Sequence, residues 1–229
     1  MCEELEHCEL GTQEYWNNRY QEEVKNYQSH GDVGEIWFGE DIVDRIIKWM
    51  KTAHSEKSCR VLDIGCGNGM LLIELYNEGF KNVVGVDYSE NAITLAKSIA
   101  TKLQCNIEFS VCDIIDENIK LSDFDVILDK GSYDAISLSF NAKENRNKYI
   151  ENVHKILKAT GILIITSCNW TQEELIEQFK THFDLKECIP TPEYKFGGKV
   201  GNIVTSIVFK QKINIENYLF YFILNTIHY

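Results

Sequence analysis

The sequence predicts a layered α/β fold, with a parallel sheet between helices. Two observations carry this. Short apolar runs alternate with helical periodicities from Arg60 to Lys210. The first run, Arg60–Ile64, also ends in Gly65-Cys66-Gly67-Asn68-Gly69 with a helical pattern behind it. Strand, glycine turn and helix bring bare backbone close to a nucleotide-like ligand. At 229 residues, 44% hydrophobic and 25% charged, the chain suits one soluble domain with one core.

Residues 1–11 are polar. Thr12–Gln28 reads as a helix, with Trp16, Tyr20, Val24 and Tyr27 along one side. In His30–Glu40 the glycines at 31, 34 and 39 forbid a regular element, yet Ile36, Trp37 and Phe38 are too apolar for a loop in water. Such a segment either packs on the domain or covers a site, and its place just before the ligand-binding core favours a cover. A helix over Asp41–Met50 carries an apolar face of Ile42, Val43, Ile46, Ile47, Trp49 and Met50.

Behind the glycine turn, a helix from Met70 is closed by Gly79. Asn82–Asp87 is the second strand, and Ser89 caps the helix after it. Ile107, Phe109 and Val111 alternate along the third strand, which ends at Cys112-Asp113. The fourth strand, Phe124–Leu128, runs into Asp129-Lys130-Gly131. A helix centred on Lys148–Leu157 is stopped by Gly161, ahead of a fifth strand over Ile162–Thr166. Thr171–Glu174 reads as a capping box with Trp170 and Leu175 as a hydrophobic staple, and its helix runs to about Thr181. Phe183–Ile189 and Asn202–Lys210 are the last strands, joined by a connector too long for a tight turn.

This divides the chain into N-terminal helices and aromatic cover (1–57), a core (58–210) and a tail (211–229). The apolar Tyr218–Leu224 in the tail fits no element of the plan; added strand, docked helix and sticky tail stay open. Right-handed crossovers set the carboxyl ends of parallel strands on one edge, where ligands bind. Asp63, Asp87, Asp113 and Asp129 end four successive strands and are candidate binding side chains. A parallel sixth strand would bring the connector 190–201, with Tyr194, Lys195, Phe196 and Lys199, to the same edge.

The net charge of −12 counts against nucleic acid and leaves a basic protein or a small molecule in a deep pocket. Eight cysteines show no C-x-x-C pair, and no histidine stands at metal-ligand spacing, so reduced thiols and no metal are expected. The acidic N-terminus is unlike a signal peptide, and no apolar run reaches spanning length, so no membrane partner is expected.

The turn reads G-x-G-x-G. Met70 stands where the dinucleotide fingerprint needs its last glycine. Asp63-x-Gly65-x-Gly67-x-Gly69 after a strand resembles motif I of the Rossmann-like class I S-adenosylmethionine methyltransferases. The resemblance implies that Gly65, Cys66, Gly67, Asn68 and Gly69 meet the amino-acid carboxylate, while Asp63 holds the turn and meets the ammonium end. Asp87 would accept from the ribose hydroxyls. Asp113 would accept from the adenine amino group, with Tyr88 and Ile114 against the ring; a plain turn role for Asp113 stays open. The chain lacks the Asn/Asp-Pro-Pro-aromatic signature of planar-nitrogen methylases, its two prolines being Pro190 and Pro192.

Three blocks, Gly31–Glu40, Asp129–Leu138 and Thr166–Thr171, resemble the eukaryotic elongation factor 1-alpha lysine methyltransferases, closest to their type 2 members. The resemblance covers roughly residues 10–210. It implies a seven-stranded sheet whose last strand is antiparallel, and methylation of a lysine on elongation factor 1-alpha by a monomer in the cytoplasm, with the nucleus as a further location. Asp129 and Tyr133 are the expected catalytic residues, Asp129 orienting the ammonium and the cofactor. Trp37, Phe38, Asn169 and Trp170 are the expected walls of the amine channel, and for any one of the aromatics, Tyr133 included, a plain core place stays open. The alternatives are transfer to another protein or a small amine, and a binding protein without turnover.

Overall fold

The computed structural model describes residues 4–54, 56–196 and 199–212. A short 3-10 turn at Glu9–Gly11 leads into α1 (Gln13–His30), and α2 (Glu40–Ala53) follows the glycine-rich segment. The core runs β1 (Val61–Ile64), α3 (Met70–Asn77), β2 (Val83–Asp87), α4 (Glu90–Lys102), β3 (Glu108–Val111) and β4 (Phe124–Lys130). It continues with α5 (Ser132–Ser137), α6 (Ala142–Ile156), β5 (Leu157–Ser167), α7 (Gln172–Phe179) and β6 (Phe183–Cys188). A hairpin of β7 (Glu193–Phe196) and β8 (Lys199–Asn202) precedes β9 (Thr205–Gln211).

Seven strands form one sheet in the order β3-β2-β1-β4-β5-β9-β6. All pair in parallel except β9, which lies antiparallel between β5 and β6. The strand order reverses between β1 and β4, and the crevice outside the carboxyl ends of such a pair is where α/β sheets take ligands.

Period-two alternation sorts the sheet's side chains into two layers. Val61, Val83, Val126, Leu128 and Ile164 face α1 to α4. Leu62, Val84, Ile127, Leu163 and Ile165 face α5 to α7. The apolar face expected on α2 is buried throughout. On the second layer, Phe179 stacks on Phe209 with centroids 5.1 Å apart and touches Tyr133 at 5.1 Å and Phe183 at 5.8 Å. Those rings tie α5, α7, β6 and β9 together.

Two elements differ from expectation. Gly161 does not stop the helix before β5. Leu157 is already extended and pairs with Phe124, while Ile162 pairs with Val126, so residues 158–161 bulge opposite Asp125. Lys158 fastens the bulge by donating to Asp125 at 2.7 Å. The connector after β6 is itself the β7–β8 hairpin. Because β6 runs parallel to β5, it leaves from the carboxyl edge, as a parallel sixth strand requires. The side chains of Tyr194, Lys195, Phe196 and Lys199 lie outside the described residues, as does the apolar run of the tail. Gln211 ends β9, and the Lys212 N–H donates to the His182 carbonyl at 2.8 Å.

Phe179→Ala should remove the ring at the centre of the aromatic cluster and cost about 3–5 kcal/mol, read as a lower denaturant midpoint at unchanged slope. A loss under about 1 kcal/mol would show that the cluster is not a principal support of this layer.

Candidate active site

The site is built outward from the turn after β1. The Cys66 N–H continues the ladder by donating to Val86 O at 2.9 Å, and Gly69 N–H closes the turn onto Cys66 O at 2.9 Å. Gly65 and Gly67 have φ of 62° and 53°, a region that favours glycine. A Cβ at Gly65 would collide with the Ser132 hydroxyl, and one at Gly67 would lie 2.5 Å from that of Tyr20. The turn is thus a bare-backbone cradle. Gly69 does not border the cavity: its Cα sits against Phe109 and Ala96, where a Cβ would be 2.9–3.0 Å away.

Asp87 ends β2 and is fixed from two sides. One carboxylate oxygen accepts from Gly67 N at 3.1 Å and the other from Ser89 N at 2.9 Å. Each oxygen keeps a further lone pair for a ligand. Burial pushes its pKa up to about 6, against the lowering effect of those two N–H groups. At the end of β3, Asp113 accepts from Gln13 Nε2 at 3.1 Å and from Ile115 N at 3.1 Å. Tyr88 and Ile114 line the same end of the cavity.

The aromatic segment is a pinned wall, which unites the two expectations of packing and cover. Asn68 Nδ2 donates to Val33 O at 3.1 Å and Glu35 O at 3.2 Å, while its own Oδ1 accepts from Met70 N at 3.2 Å. Lys130 Nζ donates to Trp37 O at 3.1 Å and lies 5.9 Å from the Phe38 ring. Trp37 meets Trp16 of α1 with centroids 4.9 Å apart. Phe38 holds a left-handed φ of 65°, a strained conformation that these bonds sustain.

The cavity these parts enclose measures about 330 Å³, within the range of small-molecule sites. Gly65, Cys66, Gly67, Asn68, Asp87, Tyr88, Asp113, Ile114, Trp37, Phe38 and Asn169 all border it.

Five expected site residues do not. Asp63 is 3% exposed, in β1 just before the turn, and does not line the cavity. Burial pushes its carboxyl up to about 7, with the Lys130 ammonium pulling it down and Asp129 and Asp87 adding to the rise. Asp129 also stands off the cavity lining. Its carboxylate is a helix cap, accepting from Ser132 N at 2.9 Å, Tyr133 N at 3.0 Å and the Tyr149 hydroxyl at 2.7 Å. Gly69 was placed above. Tyr133 is fully buried and its hydroxyl donates to Gln178 at 2.6 Å, inside the core and not at the cavity. Trp170 is also core, its indole N–H donating to Ser137 Oγ at 3.0 Å. For both residues this is the core place that stayed open beside the channel; for Tyr133 the turn of α5 brings the ring inward.

The same rotation turns Asp134 to the cavity wall. Its carboxylate accepts from the Ser167 hydroxyl and from Cys168 N at 2.7 Å, and so sets Cys168 and Asn169 against the cavity. The N-terminal segment supplies Leu10, Gln13, Trp16 and Tyr20, with Trp16 Nε1 donating to Leu10 O at 2.7 Å. The blocks at 129–138 and 166–171 contained the first set; only folding in space could reveal the second.

The chemistry of the lining matches S-adenosylmethionine. Bare backbone, a pinned carboxylate for a diol, an acceptor beside an aromatic and an apolar side chain, and acidic groups facing a cation are all present. No group of three metal-binding side chains occurs among the described residues.

Asp63, Asp87 and Asp129 all have raised pKa values, so the folded chain holds protons that the unfolded chain has released. The stability they lend is complete below about pH 4 and is lost as pH rises through about 6 to 7. Asp63→Asn should therefore lose less stability than the parent between pH 5 and 8 in urea titrations. Equal losses would contradict the buried-acid assignment.

Residues 55–217 match the model of a methyltransferase domain. The chain is 44% identical to EEF1A lysine methyltransferase 2 of Danio rerio, over 91% of each chain. It is 42% identical to protein-lysine N-methyltransferase efm4 of Schizosaccharomyces pombe, over 90% of this chain and 95% of that one. Magnesium protoporphyrin IX methyltransferase of Synechocystis, solved with S-adenosylhomocysteine bound, shares the fold with a TM-score of 0.61 at 14% identity, over 87% of this chain and 97% of that one. The glycine turn, the acid that ends β2 and likeness along nine-tenths of the length agree: this chain belongs to the EEF1A lysine methyltransferase 2 family.

Proposed function

We propose that the chain transfers a methyl group from S-adenosylmethionine to a lysine of translation elongation factor 1-alpha. The cavity at the carboxyl edge, with its glycine cradle and the fixed Asp87 carboxylate, carries the donor assignment. Family membership carries the acceptor, since relatives matching about nine-tenths of the chain bear that activity in their names. The donor supplies an electrophilic methyl on a sulfonium cation.

The chain's own residues bind, align and exclude water. Asp87 accepts from vicinal hydroxyls, and Asp113 from an exocyclic amino group between Tyr88 and Ile114. The pinned wall of Trp37 and Phe38 shuts water from the reacting end, and its rings can each hold a cation with about 0.5–2 kcal/mol.

A substrate ammonium must shed one proton before it can attack. With a pKa near 10.4, about one lysine in a thousand is neutral near pH 7. Burial lowers that pKa, and so does a neighbouring positive charge. Lys130, itself buried at the cavity and pulled below its ordinary pKa by burial, is such a charge. Glu35 and Asp134 at the wall act in the other sense and orient the ammonium as it arrives. Alignment supplies the remainder. A monomer acting in cytoplasm and nucleus belongs to the same reading; thiols such as the seven described free cysteines suit a reducing compartment.

The test is incubation of labelled S-adenosylmethionine with purified elongation factor 1-alpha, using the parent chain and Asp87→Asn. The parent should label lysine. Asp87→Asn should bind the donor at least about tenfold more weakly by calorimetry, since hydrogen bonds to a charged acceptor are weakened. No label in the factor would refute the acceptor, and an unchanged dissociation constant would refute the role of Asp87.

A further inference from the structure

Between α1 and the glycine-rich segment lies a second recess of about 400 Å³. Its charged lining is Glu22, Glu23, Asp32 and Glu35 against Arg19 alone, four negative charges to one positive. We infer that this recess receives a basic side chain of the protein substrate, one that flanks the lysine to be methylated. The inference rests on the function proposed above.

Glu23 makes the recess more than an acidic patch. It is 5% exposed, on the inner side of α1. Its Oε1 accepts from Arg19 Nε at 3.0 Å and from Glu35 N at 3.5 Å. Its Oε2 is buried with no partner. Leaving a buried carboxylate oxygen unpaired is costly, and a positive charge brought to the mouth of the recess offsets that cost.

The groups around it can give way. Arg19 is 38% exposed on its side chain and bridges Glu23 to Glu35, with Nη2 3.1 Å from Glu35 Oε2. An incoming cation can displace it from the exposed Glu35. Gly34, at φ 83°, keeps the floor open, because a Cβ there would collide with the Glu23 carboxylate. Asp32 accepts from Gly34 N at 3.0 Å, which braces the rim.

The position fits a neighbour of the target lysine. Glu35 borders both the recess and the donor cavity. Asn68 donates to the Val33 and Glu35 carbonyls, which ties the partition between the two spaces to the glycine turn. A substrate chain that delivers one lysine into the cavity therefore passes the recess with a nearby residue. A basic side chain is the fitting occupant: the acids are spread around a recess that already accommodates a guanidinium, and no group of three metal-binding side chains occurs among the described residues.

The test compares Glu22→Gln/Asp32→Asn, a change at two exposed positions, with Glu151→Gln/Glu177→Gln. The second pair makes the same change in net charge on α6 and α7, away from both spaces. In methylation of elongation factor 1-alpha, the recess variant should raise KM for the factor about fivefold, the factor of a partly buried ion pair, with kcat and donor affinity kept. The control should match the parent. A fluorescein-labelled Lys-Arg-Lys peptide, followed by anisotropy, should weaken by a similar factor on the recess variant only. Equal KM and equal peptide binding in recess variant and control would overturn the inference. Should the parent fail to label the factor at all, the proposed function falls, and the peptide comparison alone decides whether the recess binds basic side chains.

Discussion

The turn at residues 65–69 is held from in front and from behind, and the site depends on that double hold. Asp87 grips it through Gly67 N–H, which fixes the end of β2 to the end of β1. Asn68 reaches the other way, to two carbonyls of the glycine-rich segment. One stretch of backbone is thereby tied both to Asp87 and to the aromatic wall. The wall has no regular structure of its own, and such a segment stays in place only when neighbouring elements satisfy its backbone groups.

The acids of this edge divide into two kinds. Asp63 and Asp129 are buried and do not line the cavity; Asp129 accepts from two N–H groups and a phenol. They shape the edge by capping α5 and by standing near the buried Lys130 ammonium. Asp87, Asp113 and Asp134 border the cavity and can act on a ligand. Burial of charge without full pairing is unfavourable, which is why Asp87 stands up at about 6.

Most of the fold could be read from the chain because long, strongly periodic elements announce themselves. The strands β1 to β4, the Ser89 cap and the capping box at Thr171 fell close to where their patterns placed them. What stayed hidden was short or non-local. The six residues of α5 are too few to show a helical period, so the chain alone did not tell which way Tyr133 and Asp134 face. Gly161 read as a stop because glycine often ends helices, whereas pairing of Leu157 with Phe124 had already begun the strand. Gln13 meets Asp113 across a hundred residues, a contact that no local pattern encodes.

The central claim is that the aromatic segment is a fixed wall of the donor cavity, held by Asn68. Amide hydrogen exchange over residues 31–40 in the parent and in Asn68→Ala tests it most directly. Loss of two hydrogen bonds of ordinary strength should speed exchange there by about tenfold or more, with the sheet strands unchanged. Equal protection in the two proteins would mean that the segment stands without the turn, and the account of the site would fail.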